Sequence, residues 1–196
     1  MTAKRIIARA DLMDMTEYGK VRTDRRRAMG DIKRPRRIAV GPHATFYFEN
    51  FDTMLHQVHE MLFIERGGEA QIDDELRAYN PLIPNGRELV ATMMLEYEDP
   101  KVRDRELRRL TYIEKTATLT VAGEEIQAVA ESDLERTKAD GKTSSIHFLR
   151  FPLSDAQAQA FKTAGTRVVL GITHENYGHM AVLPEATRAA LAQDLD

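Results

Sequence analysis

The chain has 196 residues, 42% apolar and 30% charged, enough for one sizeable core under a well-solvated surface. It contains no cysteine, which excludes disulfides, thiolate metal ligands, thiol nucleophiles and a directly bound iron–sulfur cluster. No apolar run approaches a membrane span, and the start Met1-Thr2-Ala3-Lys4-Arg5 lacks the apolar stretch of a secretory signal. The expectation is therefore a cytoplasmic protein without membrane contact. The formal net charge of −3 hides an asymmetry: residues 1–40 carry twelve Lys/Arg against five Asp/Glu, a balance of +7 that leaves −10 for the rest.

In chain order, Thr16 and Glu17 open a helical pattern that Pro35 stops. Residues 37–40 and 45–49 read as two short strands around the turn Gly41-Pro42-His43. The next helix is the clearest. Asn50 or Asp52 caps it, Gly67-Gly68 ends it, and Phe51, Met54, Leu55, Val58, Met61 and Leu62 form one apolar arc. His56, His59 and Glu60 fall on the opposite side, which reads as a solvated polar face. A helix over about 70–80 breaks at Asn80-Pro81.

From residue 88 the period changes. Residues 89–97 read as a strand, and Asp99-Pro100 supplies a cap and first-turn proline for a helix. Residues 116–121 and 125–131 form a hairpin around Ala122-Gly123-Glu124, and 145–153 is another strand. Ser154-Asp155-Ala156-Gln157 fits a capping box. Residues 167–173 read as a central strand, and Pro184 opens the last helix. The stretch 135–143 is polar and reads as a loop.

Strands follow one another without regular β-α-β alternation. The predicted fold is thus α+β: a mostly antiparallel sheet, mainly residues 88–173, covered by helices. A helical N-terminal part contains a short β-hairpin. One domain spans 1–196, with a basic, helix-rich part over 1–85 and a sheet-rich part over 86–196.

The phosphate-binding loops, the nucleophile elbow, the EF-hand loop and the zinc-protease helix motif are all absent from the sequence. His56-x-x-His59-Glu60 places two imidazoles and a carboxylate on one helical face, where two could hold a divalent cation; a solvated face is the commoner outcome. Glu65 falls in the apolar arc but in the last turn, so it must find a cation, raise its pKa or, the commonest outcome, escape at the frayed helix end. Glu96 and Glu98 share a strand face. His174 follows the central strand directly, a favoured place for functional groups. Lys33, Arg34, Arg36 and Arg37 concentrate positive charge beside few aromatics, which gives the alternative of an interaction module for nucleic acid or an acidic partner.

The run Gly41-Pro42-His43, Phe48-Glu49-Asn50, Thr53, Gln57, Glu60-Met61 and Glu65 resembles a bacterial family designated domain of unknown function 3501. Tyr79-Asn80, Leu82-Ile83-Pro84, Ala91-Thr92, Leu149-Arg150-Phe151, Gly171, His174 and Tyr177 extend the resemblance, so that it spans about residues 10–194. It implies genomic neighbours that are rubrerythrin-like and iron–sulfur oxidoreductase-like, and hence an accessory or ligand-binding role in redox or peroxide handling. The residues it carries over as ligand-binding candidates are His43, Glu49, Asn50, Gln57, Glu60, Glu65, His174 and Tyr177. His43, Glu60 and His174 are the implied nitrogen and oxygen donors for a divalent or iron-type metal. His56 and His59 depart from the family pattern, which weakens the helical His-His-Glu reading. No catalytic residue or reaction is assigned.

Overall fold

The computed structural model describes residues 4–131, 137 and 141–196. The first helix, α1 (Met15–Lys33), starts slightly earlier than its sequence signal because Asp14 caps it, accepting the backbone N–H groups of Thr16 and Glu17 at 2.8 and 3.2 Å. Strands β1 (Arg37–Val40) and β2 (Ala44–Phe48) form the hairpin around Gly41-Pro42-His43. Helix α2 (Phe51–Glu65) is capped by Asn50, whose Oδ1 accepts the Thr53 N–H at 2.9 Å, and closes with Arg66 in the left-handed conformation. Then come α3 (Glu69–Tyr79), β3 (Glu88–Leu95), α4 (Pro100–Arg109), β4 (Ala117–Val121), β5 (Glu124–Gln127) and β6 (Val129–Ala130). The chain ends with β7 (Ile146–Pro152), α5 (Asp155–Lys162), β8 (Val168–His174), β9 (Tyr177–Val182) and α6 (Glu185–Ala192).

Among the described residues every strand pairing is antiparallel, and the strands form two sheets, β1-β2-β3-β7-β6 and β5-β4-β8-β9. The fold is thus α+β with antiparallel sheets covered by helices. The hairpin β1–β2 belongs to the larger sheet, because β2 pairs with β3 from Ala44↔Leu95 to Phe48↔Ala91. The sheet therefore begins at residue 37, inside the part read as helix-rich. The strand expected over 125–131 is two strands. β5 pairs with β4 in one sheet, Ala128 gives its N–H to the Ala117 carbonyl at 3.0 Å, and β6 then pairs with β7 in the other. A further strand, β9, follows β8 through Glu175-Asn176. The stretch 135–143 lies largely outside the described residues.

The two sheets enclose one core. Phe46, Phe48, Leu89, Met93, Leu149 and Phe151 of the larger sheet meet Leu119, Val121, Leu170 and Ile172 of the smaller, with Leu110, Phe161 and Leu191 from the helical segments sealing it. A second, smaller core lies on the outer face of the larger sheet. There Met54, Val58 and Leu62 of α2 pack on Val90 and Phe148, with α3 alongside. Strand β3 makes this possible by strict alternation: Leu89, Ala91 and Met93 point inward, whereas Val90, Thr92 and Met94 face α2. No helix among the described residues is long and apolar enough to cross a membrane.

Candidate functional site

Register sets a row of outward-facing side chains across the larger sheet. Tyr47 on β2 pairs with Thr92 on β3, which pairs with Phe148 on β7; one step along, Met94 pairs with Ile146. Helix α2 and the turn after α3 do not close over this row completely. What is left is a cleft of about 440 Å³, inside the range of small-ligand pockets, roughly 300–1,000 Å³. Tyr47, Phe148, Tyr79 and Leu82 supply its walls, with Met54, Met94 and Ile146 between them. Its polar groups are Glu49, Gln57, Thr92 and, from the end of α1, Lys33.

Glu49 is the unusual member. It is 7% exposed, and its two carboxylate oxygens accept hydroxyl hydrogen bonds, Oε1 from Thr92 at 2.8 Å and Oε2 from Thr53 at 2.7 Å. No Lys, Arg or His among the described residues pairs with it. The nearby Arg36 guanidinium gives Nη2 to the Glu49 backbone carbonyl at 3.1 Å, but its ion pair is the buried one with Asp194. Glu49 thus sits buried just before the amino end of α2, where the helix dipole favours negative charge, without a counter-ion. Gln57 lies two turns along α2 and lines the cleft with Tyr79. Burial pushes the Tyr79 phenol up. The Tyr47 phenol is also raised, first by burial and then by the Glu96 carboxylate that its hydroxyl bonds at 3.0 Å.

The remaining sequence candidates are dispersed. Glu60 lies between α2 and α1: Arg22 clasps it with Nε and Nη2 at 2.9 and 2.8 Å, and Tyr18 donates to it at 2.8 Å. The Arg22 hydrogen bond lowers its pKa to about 2. Glu65 does escape to solvent, where it accepts from Gln71. Asn50 is a helix cap. His174 accepts the Asn176 N–H at Nδ1 and meets the Thr111 carbonyl through Nε2, so both ring nitrogens are engaged. His43 stacks on Tyr97 at 4.2 Å, and Tyr177 takes the backbone N–H groups of His43 and Ala44 on its hydroxyl while donating to the Val40 carbonyl. The structure therefore brings together His43 with Tyr177, and Glu49 with Gln57, but not His43 with Glu60. Among the described residues no three His, Asp or Glu side chains are grouped to hold a metal ion.

Two expectations about faces change. His59 is fully buried, not on a solvated face, because α1 packs across that side of α2. Its ring stacks on Tyr18 at 4.9 Å and its Nε2 accepts the Met13 N–H at 3.0 Å. Desolvation, then the charge of Arg25, lowers its pKa to about 4. In the basic segment, Arg36 points inward to Asp194 and to the carbonyls of Phe48 and Glu49, Arg34 pairs with Asp31, and Arg37 lies over the Tyr47 ring. Lys33 faces the cleft instead of joining them.

Other concavities offer less. The groove of about 630 Å³ beside His43, Tyr97, Glu98 and Asp99 is open, and its Glu96 is taken by Thr45 and Tyr47. The groove of about 540 Å³ near Leu12, Leu62 and Ile72 also holds Asp14, Arg66 and Glu69, of which Asp14 is engaged as a helix cap and Glu69 with Arg9.

Comparison with known proteins gives the following. A family model described as "Protein of unknown function (DUF3501)" matches residues 6–195. A crystal structure of a protein of unknown function from Burkholderia pseudomallei K96243 is similar over 100% of both chains, with 39% identity and a TM-score of 0.91. No curated protein matches.

Proposed function

The chain belongs to the domain of unknown function 3501 family, and from the site itself we propose that it is a ligand-binding protein, accessory to another system, that holds a small organic molecule in the cleft between α2 and the outer face of the larger sheet. One observation carries this reading: the register of three strands places Tyr47, Thr92 and Phe148 side by side under a helix that leaves about 440 Å³ unfilled, with the buried Glu49 at its floor. A partly open cleft of this size, with apolar walls and a few polar groups, is the usual form of a small-molecule site. The resemblance described above supports a redox or peroxide-response setting for that ligand.

The test is a fragment library screened by thermal shift on the wild type and on Gln57→Trp, whose indole fills the cleft. Binding at this site predicts hits that stabilise the wild type saturably and leave Gln57→Trp unmoved. A library in which every hit stabilises both proteins alike overturns the reading.

A further inference from the structure

We propose that the cleft selects a cation, a protonated amine or amidinium on a flat apolar body, with Glu49 as its counter-ion. The proposal rests on the cleft being a ligand site and names what that site takes.

A carboxylate offers about four lone-pair positions, and at Glu49 two threonine hydroxyls occupy one on each oxygen. Each oxygen keeps acceptor capacity, and Glu49 lines the cleft. A buried carboxylate without a cation is the costly half of an ion pair, and a ligand that brings the other half recovers that cost. The chain brings none within ion-pair distance: the Arg36 charge is spent on Asp194, and Lys33 lines the cleft without pairing with Glu49. The walls suit the same ligand class. Tyr79 presents aromatic surface, which attracts cations through the ring quadrupole, the Tyr47 ring already carries the Arg37 guanidinium, and Met54 and Met94 add polarizable sulfur. An anionic ligand would meet the buried Glu49 as a like charge. Lys33 is the one like charge in the lining; it is partly exposed and ends a flexible stem that reaches solvent.

Nine methionines make the test direct. Methyl-labelled methionine gives one resonance per residue; Met54 and Met94 report on the cleft, and Met180, 68% exposed on β9, serves as a control. Three probes of similar shape are titrated: phenethylamine, 2-phenylethanol and 3-phenylpropanoate. The amine is expected to shift Met54 and Met94 saturably, at least tenfold more tightly than the alcohol, with the propanoate weakest. Glu49→Gln should bring amine and alcohol to the same affinity, and Lys33→Met should tighten the amine. If Glu49→Gln does not fold, the ranking of the three probes on the wild type decides alone. An alcohol or propanoate that binds at these methyls as tightly as the amine overturns the cation proposal and leaves the cleft standing. Three probes that leave both methyls unmoved overturn the cation proposal and the cleft together.

Discussion

Removing the Tyr177 hydroxyl should cost more stability than its single oxygen atom suggests. That oxygen accepts the His43 and Ala44 N–H groups at 2.8 and 2.9 Å and donates to the Val40 carbonyl at 2.8 Å, in a residue only 5% exposed. Tyr177→Phe keeps the ring and strands three backbone groups at the β1–β2 turn. At about 1 kcal/mol for each, with two of the three bonds fully buried, the loss is roughly 3 kcal/mol. For a chain of this size that corresponds to a melting temperature lower by roughly 6–12 °C. Urea titration followed by circular dichroism measures it. Tyr97→Phe is the matched control, because the Tyr97 hydroxyl makes no hydrogen bond to another described residue and the ring is equally sequestered. A loss below about 1 kcal/mol for Tyr177→Phe would refute the reasoning, since it would mean that water reaches the turn and replaces the hydroxyl. The variant should bind phenethylamine as the wild type does, because Tyr177 lies outside the cleft.

Gly41→Ala should destabilise the same turn by about 2 kcal/mol or more in urea titration: Gly41 has φ +71°, and a Cβ there would stand 2.5 Å from the His179 ring. Glu60→Gln should be less stable than the wild type at neutral pH. Its folded pKa of about 2 lies below the ordinary 4.5, so the wild-type advantage is present above pH 4.5 and should vanish as pH falls toward 2 in a series of melts. His59 behaves as a depressed base. The unfolded chain takes up its proton near pH 6.5 and the folded one only near 4, so wild-type stability should decline across that window. His59→Phe should flatten that part of the profile, and an unchanged slope would contradict the buried neutral imidazole.

Much of the architecture was legible because local signals and burial agreed. The apolar arc of α2, the Asn50 cap and the Asp99-Pro100 start all appear where the residues placed them. What escaped depends on partners distant in sequence. Alternation over 125–131 looks the same whether a strand stays in one sheet or crosses to another, so the break at Ala128 leaves no local trace. β9 leaves little sequence signal because most of its residues face solvent, although the two-residue connection Glu175-Asn176 after β8 is a hairpin signal. His59 looked solvated because the sequence does not say that α1 will lie across it. At the site, Glu49 and Gln57 were named from the resemblance and do share the cleft. Tyr47, Met94, Ile146 and Phe148 went unnamed, because only strand register reveals that they form adjacent rows. A period-2 reading of three strands together, with Thr92 as anchor, would have found them.

The segment from Glu124 to Ala130 has a consequence for how the molecule can come apart. One short run of chain belongs to both sheets, and β2 from the first half of the sequence is zipped to β3 from the second. Cutting the chain between residues 85 and 86 would leave the larger sheet divided between fragments and each fragment with an open edge. The strands beneath the cleft therefore draw on both halves of the sequence. A molecule that binds only the folded state would raise the protein's resistance to unfolding, which would serve as the gauge of occupancy.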